Sequence, residues 1–337
     1  MPDVNTIRQV TDADWFDVIR CWYAEEPLDF SVEDTIEKLK TSNPYTCWGL
    51  WKNSTLVAAT WISAIQPGCA HVLPIRCNLG IQKFDRQKFI QELWLQVASY
   101  YQENYPVSYF QALVPEYQVK DRQALEIAGF QYLTPIIQMQ LSVRQTKPQL
   151  WSHEMSIHRV TEKDWQPFIH IFKRCSDHSL DVPELNVFKE EGCIQPQYDR
   201  PEISAWLLVI KSELVGIMAF ERSTLSDKNP VVLQYLGILP EHRQKGYGRQ
   251  ALQMLCNMLF SNNASNGEPF ADHFQTDASA CQPLELRVDA RNYPARKLYE
   301  QAGFKVIQNE MIYIFPPLQN RPLKPAHANA ANSISEK

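Results

Sequence analysis

One nine-residue stretch occurs twice. Ile7–Trp15 (IRQVTDADW) returns 150 positions later as Ile157–Trp165 (IHRVTEKDW), keeping Ile, Val, Thr, Asp and Trp in place, with Asp12 answered by Glu162. In each, a short strand-like start leads to a Thr that suits a helix N-cap, and acids follow where the positive end of the helix dipole favours them. Further echoes come in the same order. Lys52–Val57 matches Lys211–Val215 with one residue skipped, Leu79-Gly80-Ile81 matches Leu236-Gly237-Ile238, and Ala128-Gly129-Phe130 matches Ala302-Gly303-Phe304. The offset widens along the chain, so the second copy carries insertions. One is Ser261–Ala280, polar, rich in Asn and Ser and without periodicity, which reads as a long surface loop.

Two full-length copies exclude a short-period solenoid. The element order in each is strand, helices, several strands, helix, strand, helix, strand. It predicts an α/β (mixed α+β) class, with a central mixed β-sheet flanked by helices in each of two tandem domains. A chain of 337 residues suits two domains. The expected boundaries are 1–146 and 154–317, with a linker near Val143–His153, where Lys147-Pro148 stops any helix. Residues 318–337 read as a disordered tail, since Pro316–Lys337 is rich in Pro, Ala, Asn and Ser and has no core.

The two copies differ at one place. In the second, the apolar run Val231–Leu239 (VVLQYLGIL) has strand length and ends at Pro240, which has no N–H for a ladder. Arg243-Gln244-Lys245-Gly246-Tyr247-Gly248-Arg249 follows, and then Ala251, Leu252, Leu255, Met258 and Leu259 recur at helical spacing. Free N–H groups at a helix start make an anion site, and two glycines let the backbone approach a phosphate closely. Arg243, Lys245 and Arg249 add positive charge. The pattern is neither GxxxxGK[ST] nor GxGxxG, so nucleotide hydrolysis and dinucleotide redox chemistry fit poorly. The first copy reads Gln82-Lys83-Phe84-Asp85-Arg86-Gln87-Lys88 at this place, with no glycine and with a repelling acid.

The RxxGxG turn after a strand ending in Pro resembles the acetyl-CoA loop of the GNAT acetyltransferase superfamily. Leu284–Phe304 (LELRVDARNYPARKLYEQAGF) is similar to the family's later strand–helix motif at Val288, Asn292, Ala295, Leu298, Tyr299, Glu300, Gly303 and Phe304. The tandem plan resembles two-domain GNAT enzymes of the mycothiol synthase type. In the first copy, Lys120 and Leu125 stand at the places of Pro294 and Tyr299, and no Asn answers Asn292. That copy is therefore expected to be a degenerate scaffold without a CoA loop.

The resemblance implies an acetyl-CoA-dependent N-acyltransferase acting on a primary amine of a small molecule, a protein N-terminus or a lysine. It implies a cofactor site from Leu236, Gly237, Ile238, Arg243, Gln244, Lys245, Gly246, Tyr247, Gly248, Arg249, Asn292, Ala295 and Tyr299. Tyr299 would protonate the CoA thiolate; a tyrosine is protonated at pH 7. The alternative is an amphipathic core residue. Asn292 equally suits the N-cap before Tyr293-Pro294. The general base stays open between Glu285, in the alternating strand LELRV, and Glu221, at the end of another strand, with an exposed strand carboxylate the plain reading of each. A non-catalytic acyl-CoA sensor or protein-interaction module, or transfer of a longer acyl group, is the alternative function.

Composition excludes other classes. Net charge is −5, which does not favour nucleic acid or acidic membranes as partners. No apolar run reaches the roughly 18 to 20 residues that span a bilayer, and MPDVNTIRQV has no signal-like apolar core. The eight cysteines contain no CxxC and read as reduced thiols of a cytoplasmic protein. The histidines lack ligand spacing, so no metal is expected. Oligomeric state is not legible.

Overall fold

The computed structural model describes residues 5–23, 31, 36–37, 45–66, 68–141, 155–177, 179–182, 194–195, 198–222, 230–260 and 283–316. The expected linker Val143–His153, the loop Ser261–Ala280 and the tail 318–337 lie outside them. The elements are β1 (Asn5–Gln9), α1 (Trp15–Trp22), β2 (Thr46–Lys52), β3 (Thr55–Gln66), β4 (Gly68–Cys77), α2 (Lys83–Asn104), β5 (Val107–Pro115), α3 (Val119–Ala128) and β6 (Gln131–Leu141). They continue with β7 (Met155–Arg159), α4 (Trp165–Ser176), β8 (Ile203–Ile210), β9 (Glu213–Arg222), β10 (Val231–Ile238), α5 (Tyr247–Phe260), β11 (Leu284–Asp289), α6 (Tyr293–Gln301) and β12 (Lys305–Phe315).

The repeated nine residues build the same local device in each copy. Thr11 and Thr161 each close a capping box over a single 3₁₀ turn, with Asp14 and Asp164 returning the bond to the threonine N–H at 2.7 and 3.0 Å. The helix that follows is amphipathic in each copy. In α4, Phe168, Ile169, Ile171, Phe172 and Cys175 are buried.

The chain folds into two compact units that do not follow the sequence halves. One comprises Met1–Ala112, Gln123–Gln131 and Ile314–Lys337; the other comprises Leu113–Arg122 and Tyr132–Tyr313. In the first, β1-β2-β3-β4 are antiparallel neighbours and β5 joins β4 in parallel. Its core holds Trp61 against Trp15 and Trp22, and Trp94 of α2 against Phe110, Phe130 and Phe315, the last at 5.2 Å. The glycine-free segment Gln82–Lys88 is itself the start of α2, which begins at Lys83 with Gln82 as its N-cap residue.

In the second unit the strand order is β12-β6-β11-β10-β9-β8-β7. Strand β6 comes from the first half of the sequence, yet it runs antiparallel to β11 over six registered pairs from Leu284↔Leu141 to Asp289↔Ile136. Its Ile137, Met139 and Leu141 are buried with Leu284, Leu286 and Val288 in one core. The period of two along β9 divides the unit into layers. Ile217 and Ala219 face α4, whereas Met218 and Phe220 face the core that α5 fills with Ala251, Leu252, Leu255 and Cys256. Each Leu, Ile, Met or Phe among them contributes about 1.5–3 kcal/mol when fully buried.

Candidate active site

The site begins where two strands part. β10 and β11 pair in parallel only over Val231↔Leu284, Val232↔Glu285 and Leu233↔Leu286. Beyond that point β10 continues with β9 and β11 with β6. The pairing with β9 shifts register between Leu233 and Tyr235, so Gln234 sits at a bulge; a bulge re-aims the strand that carries it. The divergence opens a cavity of about 690 Å³ along Tyr235–Ile238. Gly237 is required here, since a Cβ would lie 2.9 Å from the Cβ of Cys175 and 2.6 Å from the Tyr235 ring.

The far wall is the glycine turn and the first turn of α5. Gly246 has φ +81°, and nothing lies within 4 Å of where its Cβ would be; this is the left-handed region that glycine enters without cost. Gln244 is also at positive φ, +62°. The first intrahelical-type bond is Gln250 N–H to the Gly246 carbonyl, at 3.1 Å, so the amides before it have no helical partner. Arg243, Gln244, Gly246, Tyr247, Gly248 and Arg249 line the cavity, and Lys245 does not. Two of the three cations have other work. The Arg243 guanidinium donates to the carbonyls of Ile238 and Cys175, both at 3.0 Å, and so braces the turn against β10 and α4. Arg249 Nη2 donates to Gln301 Oε1 at 2.7 Å. Lys297, which sequence reasoning did not single out, also lines the cavity.

The third wall is the start of α6. Asn292 caps the helix, its Oδ1 accepting from the Ala295 N–H at 3.2 Å. Its Nδ2 donates to Asp181 Oδ2 at 2.7 Å, so the N-cap reading of Asn292 holds and both ends of its amide have protein partners. Ala295 and Tyr299 line the cavity, and Tyr299 is 8% exposed, with its ring 5.8 Å from that of Phe304. Burial, and then the negative charge of Asp181, hold its hydroxyl pKa well above the usual tyrosine range.

Neither carboxylate singled out from sequence lines the cavity. Glu285 is held by β6, accepting from Gln140 Nε2 at 2.7 Å and Gln138 Nε2 at 3.2 Å. Glu221 accepts from Gln234 Nε2 at 2.6 Å, and only Gln234 reaches the cavity. The acid that does line it is Asp181, in the turn after α4. No periodicity marks that turn, so the sequence offered no signal for it. Asp289 stands behind Asp181. It is fully buried and accepts from Thr134 Oγ1 (2.8 Å), Val182 N–H (2.9 Å), Arg291 N–H (2.8 Å) and Arg291 Nη2 (2.7 Å). Burial pushes its pKa up, but the bonds from Arg291, Val182 and Thr134 outweigh this and hold it below the usual carboxylate range.

Among the described residues no group of three or more His, Cys, Asp or Glu could hold a metal. Among them, too, no helix is long and apolar enough to cross a membrane. Cys21, Cys47, Cys69, Cys77, Cys175 and Cys256 are free thiols.

Residues 159–267 match the model of the acetyltransferase (GNAT) family. A GCN5-related N-acetyltransferase from Sphaerobacter thermophilus aligns over 94% of this chain and 96% of its own, at 14% identity and a TM-score of 0.56. A tandem GNAT protein from the clavulanic acid biosynthesis pathway aligns over 93% and 99%, at 13% identity and a TM-score of 0.55. A glucosamine N-acetyltransferase region in a fungal multi-domain β-N-acetylglucosaminidase aligns over 94% of this chain but 38% of that one, at 10% identity and a TM-score of 0.60. At these identities the likeness is one of fold. No curated protein matches the sequence. Residues 159–267 thus match an acetyltransferase (GNAT) domain, in a chain whose fold is shared with a tandem GNAT protein, and this match supports an acyltransferase.

Proposed function

We propose that the chain transfers an acetyl group from acetyl-CoA to a primary amine at one site, in the unit built on β10, β11, α5 and α6. The observation that carries this is the parting of β10 and β11 beside the glycine turn. It leaves the Tyr235–Ile238 edge facing a cavity that ends at the free amides of α5. An extended pantetheine arm can pair with such an edge as an added strand does, while pyrophosphate sits on the helix N-terminus. In this reading a backbone N–H of the same edge receives the oxyanion. Tyr299 supplies the proton that the departing thiolate takes up. Arg243 acts by bracing the turn, and Lys297, which lines the cavity, is the cation that meets phosphate. The acceptor is an amine of a small molecule, a protein N-terminus or a lysine.

The test is CoA release from acetyl-CoA over a panel of primary amines, together with calorimetric titration of CoA. Amine-dependent release and one CoA per chain are expected. Tight binding with no turnover on any amine would favour an acyl-CoA sensor, and two CoA per chain would place a second site in the other unit.

A further inference from the structure

Acyl transfer from a thioester needs the acceptor nitrogen unprotonated, and a primary amine of pKa near 10 arrives at pH 7 as an ammonium. Asp181 is the one carboxylate among the described residues that line the cavity. We propose that Asp181 receives the acceptor's ammonium and takes its first proton; this rests on the acyltransfer reading above.

The geometry holds this carboxylate ready. Asp181 Oδ1 accepts from the Asp289 N–H at 2.9 Å and Oδ2 from Asn292 Nδ2 at 2.7 Å. Each oxygen keeps a further lone pair for a ligand. The residue is open to solvent on the cavity side, so an acceptor can reach it, while protein on its other sides pushes its pKa up and makes it a better base. The next residue, Val182, stands at φ +38°, an uncommon conformation for a β-branched side chain. The bond from its N–H to Asp289 Oδ2, at 2.9 Å, holds it there. Strain of this kind persists where the surroundings over-determine a position, and what it fixes here is the direction of Asp181. The charged and titratable groups around Asp181 are Asp289 at the end of β11, Arg291 from the turn after it, Tyr299 from α6, Tyr235 from β10 and Cys175 from α4.

The protons balance. The ammonium gives one proton to Asp181, which passes it to water through the open cavity. The amine then attacks the thioester carbonyl, the C–N bond forms, and the C–S bond breaks as the intermediate collapses. Nitrogen loses its second proton as sulfur gains one from the Tyr299 hydroxyl, and the tyrosine is restored by the proton from nitrogen. The products are amide, CoA thiol and one released proton.

The test compares wild type, Asp181→Asn and Asn292→Ala by kcat/KM with acetyl-CoA and the best amine of the panel, from pH 6.5 to 9.5. Circular dichroism checks folding, and calorimetry measures CoA affinity. For Asp181→Asn, CoA affinity should hold while kcat/KM at pH 7 falls on the order of 10²-fold, the usual worth of a positioned base. The deficit should narrow as pH rises toward the amine pKa, because free amine no longer needs the carboxylate. An equal deficit at every pH, or the same profile from Asn292→Ala, would make Asp181 a prop for Asn292 and overturn the proposal. Asp181→Ser, whose hydroxyl can rotate so that its oxygen accepts from Asn292 Nδ2, is read the same way if Asp181→Asn does not fold. A wild type that binds acetyl-CoA but turns over no amine would remove the acyltransfer reading and this role with it. An active wild type with an undiminished Asp181→Asn would remove only this role.

Discussion

Replacing Asp289 by Asn tests the frame behind the site. The carboxylate is wholly buried, and donors converge on both of its oxygens: Thr134 Oγ1 and Arg291 N–H on Oδ1, Val182 N–H and Arg291 Nη2 on Oδ2. An amide keeps one acceptor and turns the other into an NH₂ group, so two donors lose their partner and face another donor in either orientation. Removing one member of a buried ion pair costs about 3–5 kcal/mol. Arg291 is 37% exposed and can turn to water, which brings the expected loss to about 2–4 kcal/mol. At about 2–4 °C per kcal/mol for a unit of this size, the melting temperature should fall by about 5–15 °C. The pH dependence has a definite sign. The folded pKa of Asp289 lies below its unfolded value, so its contribution is present above the unfolded pKa near 4 and is lost as pH falls through the folded value. Urea midpoints of wild type and variant should therefore differ by a constant amount from pH 5 to 8 and converge in acid. A melting temperature lowered by less than about 2 °C, or a gap that stays constant down to pH 3, would refute this account of Asp289.

Tyr299→Phe keeps the ring against Phe304 and should cost about 1 kcal/mol of stability at most, while kcat falls on the order of 10²-fold with CoA affinity intact; a near-normal kcat in the folded variant would remove the proton-donor role. Because burial raises the folded pKa of Tyr299, its protonated form persists through pH 9, and the pH–rate profile should show no basic limb from it in that range. Gly246→Asp places a carboxylate and a strained φ where phosphate should sit, and CoA affinity measured by calorimetry should fall at least tenfold; unchanged affinity would move the phosphates elsewhere. A chain starting at residue 154 lacks β6 and should be poorly soluble and bind no CoA, whereas adding residues 131–141 before it through a flexible linker should restore binding; a stable, CoA-binding 154–337 fragment would contradict the role given to β6.

What could be read from sequence was what is local. The strand, the glycine turn and α5 announce themselves by an apolar run, two glycines and a helical period, and all three stand where the spacing put them. The same holds for Asn292 as a cap and for Tyr299 on the inner face of α6. Charge was misleading at Arg243, because sequence shows a cation but not the two carbonyls it braces. Glu285 was placed on the right strand, but its partners Gln138 and Gln140 lie about 145 residues away, and nothing in an alternating strand tells which neighbour it will take. Asp181 was invisible for the same reason. It becomes part of the site through bonds to Asn292 and Asp289, more than 100 positions away, so only the folded chain brings it there.

The place of β6 has a consequence for how the protein is made. Its partner β11 emerges from the ribosome about 140 residues after Leu141, roughly 7–30 s later at 5–20 residues per second. Throughout that interval Ile137, Met139 and Leu141 have no β11 to cover them, and bare strand edges are templates for aggregation. The other unit waits longer still, since Phe315, which packs against Trp94, Phe110 and Phe130, follows Phe130 by 185 residues (315 − 130). Neither unit can complete its core before these later segments have been made. Assembly is thus expected to be slow, in the manner of folds built on distant pairings, with the early strands exposed to aggregation until their partners arrive.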